Sequence, residues 1–131
     1  MDSELVILRV AHNCGCEYEW RHHERLGALA GLPEQAIADV RKGVDAEVFT
    51  SRQRLLLRAA DELHAQQTIS DELWSALRDE LSDRDLIELC LLVGHYEMLA
   101  MTINALAIVP DPIRNAPPSR LLRVLQSLTQ R

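Results

Sequence analysis

The sequence predicts an all-α fold of six or seven helices, and three observations carry that expectation. No stretch alternates apolar and polar residues with the period of a strand. Aromatic residues make up 4% of a chain that is 47% hydrophobic, so the core must be built from Leu, Ala, Val and Ile. Finally, Ser or Thr followed three residues later by an acid or amide recurs ahead of apolar runs, the pattern that starts helices.

The first helix spans roughly Ser3 to His12, with Leu5, Leu8 and the neighbouring Val and Ile residues as a broad apolar face. Asn13-Cys14-Gly15 ends it, because Asn and Gly tolerate the left-handed conformation that closes helices. A second helix begins near Cys16 and runs to about Ala30, stopped by Gly31. Pro33 opens a short helix through Val40, ended by Gly43. Thr50 and Gln53 form a capping-box pair for a helix to about Gln67. Thr68 or Ser70 caps the next, through Leu81, and Ser82 with Asp85 opens the longest, to about Ile108. Pro110, Pro112, Pro117 and Pro118 make an extended connector, and Arg120 to Leu128 is a last amphipathic helix. The 131 residues read as one domain, 1–131, in which 109–131 is the connector plus a helix suited to act as an oligomer arm.

Composition excludes several function classes. A net charge of −6 argues against a nucleic-acid binder, which would carry a basic stripe. The stretch from Leu86 to Val109 is the most apolar, but Glu88, His95, Glu97 and Asn104 interrupt it, so it reads as a buried core helix rather than a membrane span. Met1-Asp2-Ser3-Glu4 lacks the basic start of a signal peptide. Cys14, Cys16 and Cys90 are an odd number of cysteines without secretory context, which points to a reducing cytoplasm.

The chemistry concentrates in Cys16-Glu17-Tyr18-Glu19-Trp20-Arg21-His22-His23. On a helix, Cys16, Glu19 and His23 fall at i, i+3 and i+7 and project from one side. Glu19 lies one turn before His23, near enough for a carboxylate–imidazole pair that can tune and orient a proton carrier. The same spacing also suits an ordinary surface Glu–His pair. Cys16 at a helix start is placed for thiol activation, while a single cysteine is also a common small core residue. Glu19, His22 and His23 make a poor metal site, because adjacent histidines on a regular helix cannot both face one ion. His12, His64 and Trp74 read as structural. A second polar interruption, Gly94-His95-Tyr96-Glu97, follows an apolar run, so His95 or Tyr96 is expected to be buried with a polar partner. Asn104 is similarly out of place among apolar neighbours.

Taken together these residues resemble the carboxymuconolactone decarboxylase superfamily, which also contains the alkylhydroperoxidase D-like proteins. The family pattern is a glutamate followed about a dozen residues later by Cys-x-x-Cys-x-x-x-His on a helix hairpin. Glu4 matches the glutamate, Cys16 the first cysteine and His23 the histidine, while Glu19 occupies the second cysteine position. Leu91-Leu92-Val93-Gly94-His95-Tyr96, with Met98 and Asn104, is similar to a later helix of the branch that lacks the dithiol. The resemblance spans about Ser3 to Val109 and implies an oligomeric helical fold acting on a small-molecule substrate without a cofactor or metal.

What the resemblance implies for function is acid/base catalysis, decarboxylation or a related proton transfer, on a small organic acid or lactone. His23 is the expected proton shuttle, Glu19 its orienting partner or second acid/base, and Glu4 completes the cluster. Tyr18, Trp20, His95 and Tyr96 are expected to shape the pocket, and Arg21 or Arg25 to hold a substrate carboxylate. The alternatives are a single-cysteine peroxidase using Cys16, which needs an external thiol for resolution, and a non-catalytic oligomeric binding protein. The first helix is apolar on most sides with no earlier segment to cover it. A homo-oligomer is therefore expected, with that helix or Arg120–Leu128 at the subunit contact.

Overall fold

A computed structural model describes residues 2–111. Six helices follow in order: α1 (Asp2–Asn13), α2 (Glu17–Leu29), α3 (Glu34–Val40), α4 (Ser51–Gln66), α5 (Asp71–Glu80) and α6 (Asp83–Ala105). The all-α expectation holds, and the predicted starts are correct to within a residue or two. Thr50 with Gln53 and Ser82 with Asp85 both form complete capping boxes, and Ser70 rather than Thr68 caps α5. The predicted helix Arg120–Leu128 lies outside the described residues.

The fold is organised around α1. Its Val6 and Val10 enter a core shared with α4, α5 and α6, where they meet Leu56, Leu77, Leu86 and Val93. Leu5, Leu8 and Ala11 enter a second core with Trp20, Ile37, Val40, Phe49 and Leu57. A helix between two cores must be apolar nearly all round, and this explains the composition of α1. The expectation that α1 is uncovered and supplies a subunit contact is therefore corrected: α2, α3, α4 and α6 of the same chain pack around it.

The reading of α6 as a buried core helix is corrected as well. Leu86, Leu89, Val93 and Ala100 are buried, but Ile87, Leu91, Met98 and Met101 face outward, Leu91 with 68% of its surface exposed. The helix is apolar on both sides, and among the described residues one of those sides has no cover. By length and composition it is also the one described helix that suffices to cross a membrane.

Arg9, the polar residue in mid-α1, is held by a forked pair of hydrogen bonds to Asp61 (2.7 and 2.9 Å) and donates a third to the carbonyl of Val40. Asn13 donates to the same Asp61 carboxylate at 2.8 Å. Together these contacts fasten α1 to α4 and to the end of α3. Gly15, with φ of +60°, makes the reversal between α1 and α2 at little steric cost. Gly27 leaves room for the Leu32 side chain, since a Cβ there would stand 3.0 Å from Leu32 Cδ1, and it meets Leu8 and Glu4 of α1 at ordinary contact distances of 3.7 and 3.8 Å. This tight hairpin brings the start of α1 against the middle of α2.

Candidate functional site

The hairpin sets three ionisable groups together. His23 Nδ1 lies 2.8 Å from Glu4 Oε2, and His23 Nε2 lies 3.3 Å from Glu19 Oε2. His23 and Glu19 are buried, and Glu4 is partly exposed. Both ring nitrogens thus face a carboxylate. A neutral imidazole can donate to only one of them, while an imidazolium can donate to both. Tyr96 of α6 meets the His23 ring edge-on at 5.0 Å between centroids. Its hydroxyl is held above the usual phenol range by burial first, and then by the charges of Glu19 and Glu4.

α2 and α6 both pack on α1 and have little contact with each other, so the imidazole sits over α1 with one helix on either side. Of the residues expected at the site, Glu4, Glu19, His23 and Tyr96 are brought together. Cys16, Glu19 and His23 do share the buried side of α2 as their spacing predicts, and Cys16 is 1% exposed. The thiol nevertheless stands two turns from the imidazole, about 10 Å along the axis. Cys16 is the residue at which α2 begins, and its carbonyl accepts from the Trp20 amide at 3.1 Å.

The remaining expected residues lie elsewhere. Trp20 is buried in the second core, with Arg41 stacked 3.8 Å over its ring. His95 is exposed and touches the site only through Tyr96, ring edge to ring at 5.2 Å. Tyr18 lines an outer cavity of about 450 Å³ with Arg21, His22 and Arg25. Arg21 and Arg25 are each two residues from His23, so they point nearly opposite to it around the helix. In one chain neither arginine converges with the imidazole.

A second cluster escaped the sequence reading. Cys14 Sγ is 3.9 Å from His64 Nδ1, and the same nitrogen is 2.5 Å from Glu97 Oε1. Burial, and then the hydrogen bond to Glu97 and its charge, push the Cys14 thiol up to about 12. Asn104 donates to the Cys14 carbonyl at 2.9 Å, which accounts for a polar residue late in α6. His64, expected to be structural, is thus partnered by two groups 50 and 33 residues away. No local spacing could have revealed this.

The fold and the site define an all-α protein with an imidazole clamped between carboxylates on a helix hairpin. The model of the carboxymuconolactone decarboxylase family matches residues 2–62, the segment that holds Glu4, Glu19 and His23, so this part of the chain is similar to that family.

Two solved structures share the fold. One is a protein of unknown function from Agrobacterium tumefaciens, named as a candidate antioxidant defence protein AhpD. It is 22% identical with a TM-score of 0.80, over 86% of this chain and 78% of that one. The other is an uncharacterized peroxidase-related protein from Silicibacter sp. TM1040, 21% identical with a TM-score of 0.75. There the match covers 84% of this chain and 59% of the other. No curated protein matches the chain.

Proposed function

We propose that this protein catalyses cofactor-free proton transfer on a small organic acid or lactone, a decarboxylation or a related reaction, with His23 as the proton carrier. One observation carries the reading: a buried imidazole has a carboxylate at each nitrogen. Glu4, at the shorter distance, orients the ring from the Nδ1 side. Glu19, at 3.3 Å, is the looser partner and can yield its place to substrate. In a decarboxylation the substrate carboxylate leaves as CO2 and its bonding pair delocalises into the adjacent unsaturated carbonyl system. The imidazolium then gives its Nε2 proton to carbon and regains one from solvent through Glu19.

The test is CO2 release from a carboxylated unsaturated lactone in D2O, with one deuteron entering the product. His23→Gln should lower the rate by about 10²–10⁴-fold, the usual contribution of a positioned acid or base. Turnover that survives His23→Gln unchanged refutes the assignment.

A second reading follows from the names of the two similar structures, which point to peroxide chemistry. Here a Cys16 thiolate attacks a hydroperoxide oxygen to give a sulfenic acid and an alcohol, and an external thiol reduces the sulfenic acid. Glu19 stands where a second cysteine would resolve it internally. The acid/base reading is preferred because His23 has a carboxylate at each ring nitrogen, whereas the Cys16 sulfur has no hydrogen-bonding partner among the described residues to activate it.

We further propose that the protein is a cytoplasmic homo-oligomer, joined through the outward apolar side of α6. Exposed apolar surface of that extent is typical of subunit contacts.

A further inference from the structure

We propose that Cys14, His64 and Glu97 form a binding site for a divalent transition-metal ion, zinc above all, with a fourth coordination position open to water. The three ligand atoms come from three separate parts of the fold: the turn after α1, the end of α4 and the middle of α6. They lie within 4.8 Å of one another. In a tetrahedral site with Zn–S near 2.3 Å and Zn–N or Zn–O near 2.0 Å, the ligand atoms stand about 3.3–3.6 Å apart. Small side-chain rotations therefore convert the observed cluster into a coordination shell.

The alternative for such a trio is a nucleophilic cysteine with a histidine base and an orienting carboxylate. The geometry argues against it. In that arrangement the carboxylate holds one ring nitrogen and the thiol faces the other. Here Sγ and the Glu97 carboxylate both face Nδ1 of His64. Lone pairs that converge on one point suit a cation placed between them.

Charge and ligand type agree with this. A thiolate and a carboxylate carry two negative charges, which a dication neutralises, and the neutral imidazole adds none. Cysteine coordinates as the thiolate, so binding releases the Cys14 proton to solvent as the S–metal bond forms. One thiolate, one imidazole and one carboxylate suit zinc better than magnesium or calcium, which prefer oxygen ligands alone. Partial exposure of His64 leaves the site reachable. Glu97 follows Tyr96, so a bound ion would pin α6 where Tyr96 meets His23.

The experiment uses the full chain, stripped with chelator and titrated with zinc by calorimetry and with cobalt(II) by absorption. Expected are one equivalent bound, a thiolate-to-cobalt charge-transfer band, and tetrahedral d–d intensity. Cys14→Ser should abolish the band and weaken zinc binding by more than the roughly 10–100-fold that loss of a supporting partner costs. Glu97→Gln should weaken binding while keeping the band, and Cys90→Ser should behave as wild type. X-ray absorption on the zinc-loaded wild type is independent of any folding defect in a variant, and should show one sulfur ligand near 2.3 Å. Zinc bound with no sulfur ligand, binding unchanged by Cys14→Ser, or no bound equivalent at all overturns the proposal.

Discussion

His23 Nδ1 lies 2.8 Å from Glu4 Oε2, a contact made across 19 residues and two helices, while the Glu19 carboxylate one turn away on the same helix stands farther off, at 3.3 Å. The long-range partner is the tighter one. This reverses the order that helical spacing suggests and makes the α1–α2 hairpin, rather than α2 alone, the structural unit of the site.

Glu4→Gln should therefore disturb the imidazole more than Glu19→Gln. Loss of a hydrogen bond to a charged group costs about 1.5–3 kcal/mol where the partner stays buried. Long-range proton–nitrogen NMR spectra of His23 should show a changed tautomer in Glu4→Gln and a smaller change in Glu19→Gln. Equal changes in both would remove the distinction drawn between the two carboxylates.

Arg9→Met should destabilise the fold by about 1.5–3 kcal/mol, since it leaves the part-buried Asp61 carboxylate without its forked partner and with Asn13 as its remaining donor. Arg9→Lys should recover only part of that, because an ammonium cannot reproduce the two parallel bonds. Urea denaturation with an unchanged m-value measures both. Full stability in Arg9→Lys would show that charge alone suffices.

Stability should fall as the solution is acidified through the histidine range, in part because of His12. Burial first, and then the positive charges of Arg9 and Arg41, hold its pKa below the ordinary 6.5. The folded chain thus binds fewer protons there than the unfolded chain. The contribution of His12 is complete above 6.5 and is lost as the pH falls toward the depressed folded value. Melting temperatures of wild type and His12→Gln between about pH 7.5 and 5.5 isolate this effect, and the variant should lose less on acidification. Parallel curves would exclude His12.

Leu91→Glu combined with Met101→Glu should convert an oligomer into a folded monomer, because both side chains are exposed in the single chain, at 68% and 62%. Sedimentation and circular dichroism read assembly and fold separately. A wild-type protein that sediments as a monomer at micromolar concentration would end the proposal of assembly through α6.

Mild peroxide should produce no intramolecular disulfide. The three cysteines are free, Cys16 is buried, and a Cys14 thiol at about 12 is ionised to about one part in 10⁵ at pH 7. Mass spectrometry after native alkylation should find Cys14 and Cys16 slow to react. A Cys14–Cys16 or Cys16–Cys90 bond that cycles with a reductant would favour the peroxidase reading.

What the sequence determined by itself is whatever depends on neighbours within a turn or two. The capping boxes at Thr50 and Ser82, the stop at Gly15 and the shared side of Cys16, Glu19 and His23 are all short-range matters of backbone geometry, and all are present as predicted. The resemblance also placed Glu4 in the cluster with His23. Tertiary structure decided the rest. Only packing could show that α1 lies between two cores, because an all-apolar helix suits a protein interior and a subunit interface equally well. Only packing could send Trp20 into a core, leave one side of α6 uncovered by the described residues and turn Arg21 and Arg25 away from the imidazole. The cluster of Cys14, His64 and Glu97 shows the limit most clearly. Its members share no helix and no spacing rule, and they meet because α4 and α6 both pack on α1, which ends beside them.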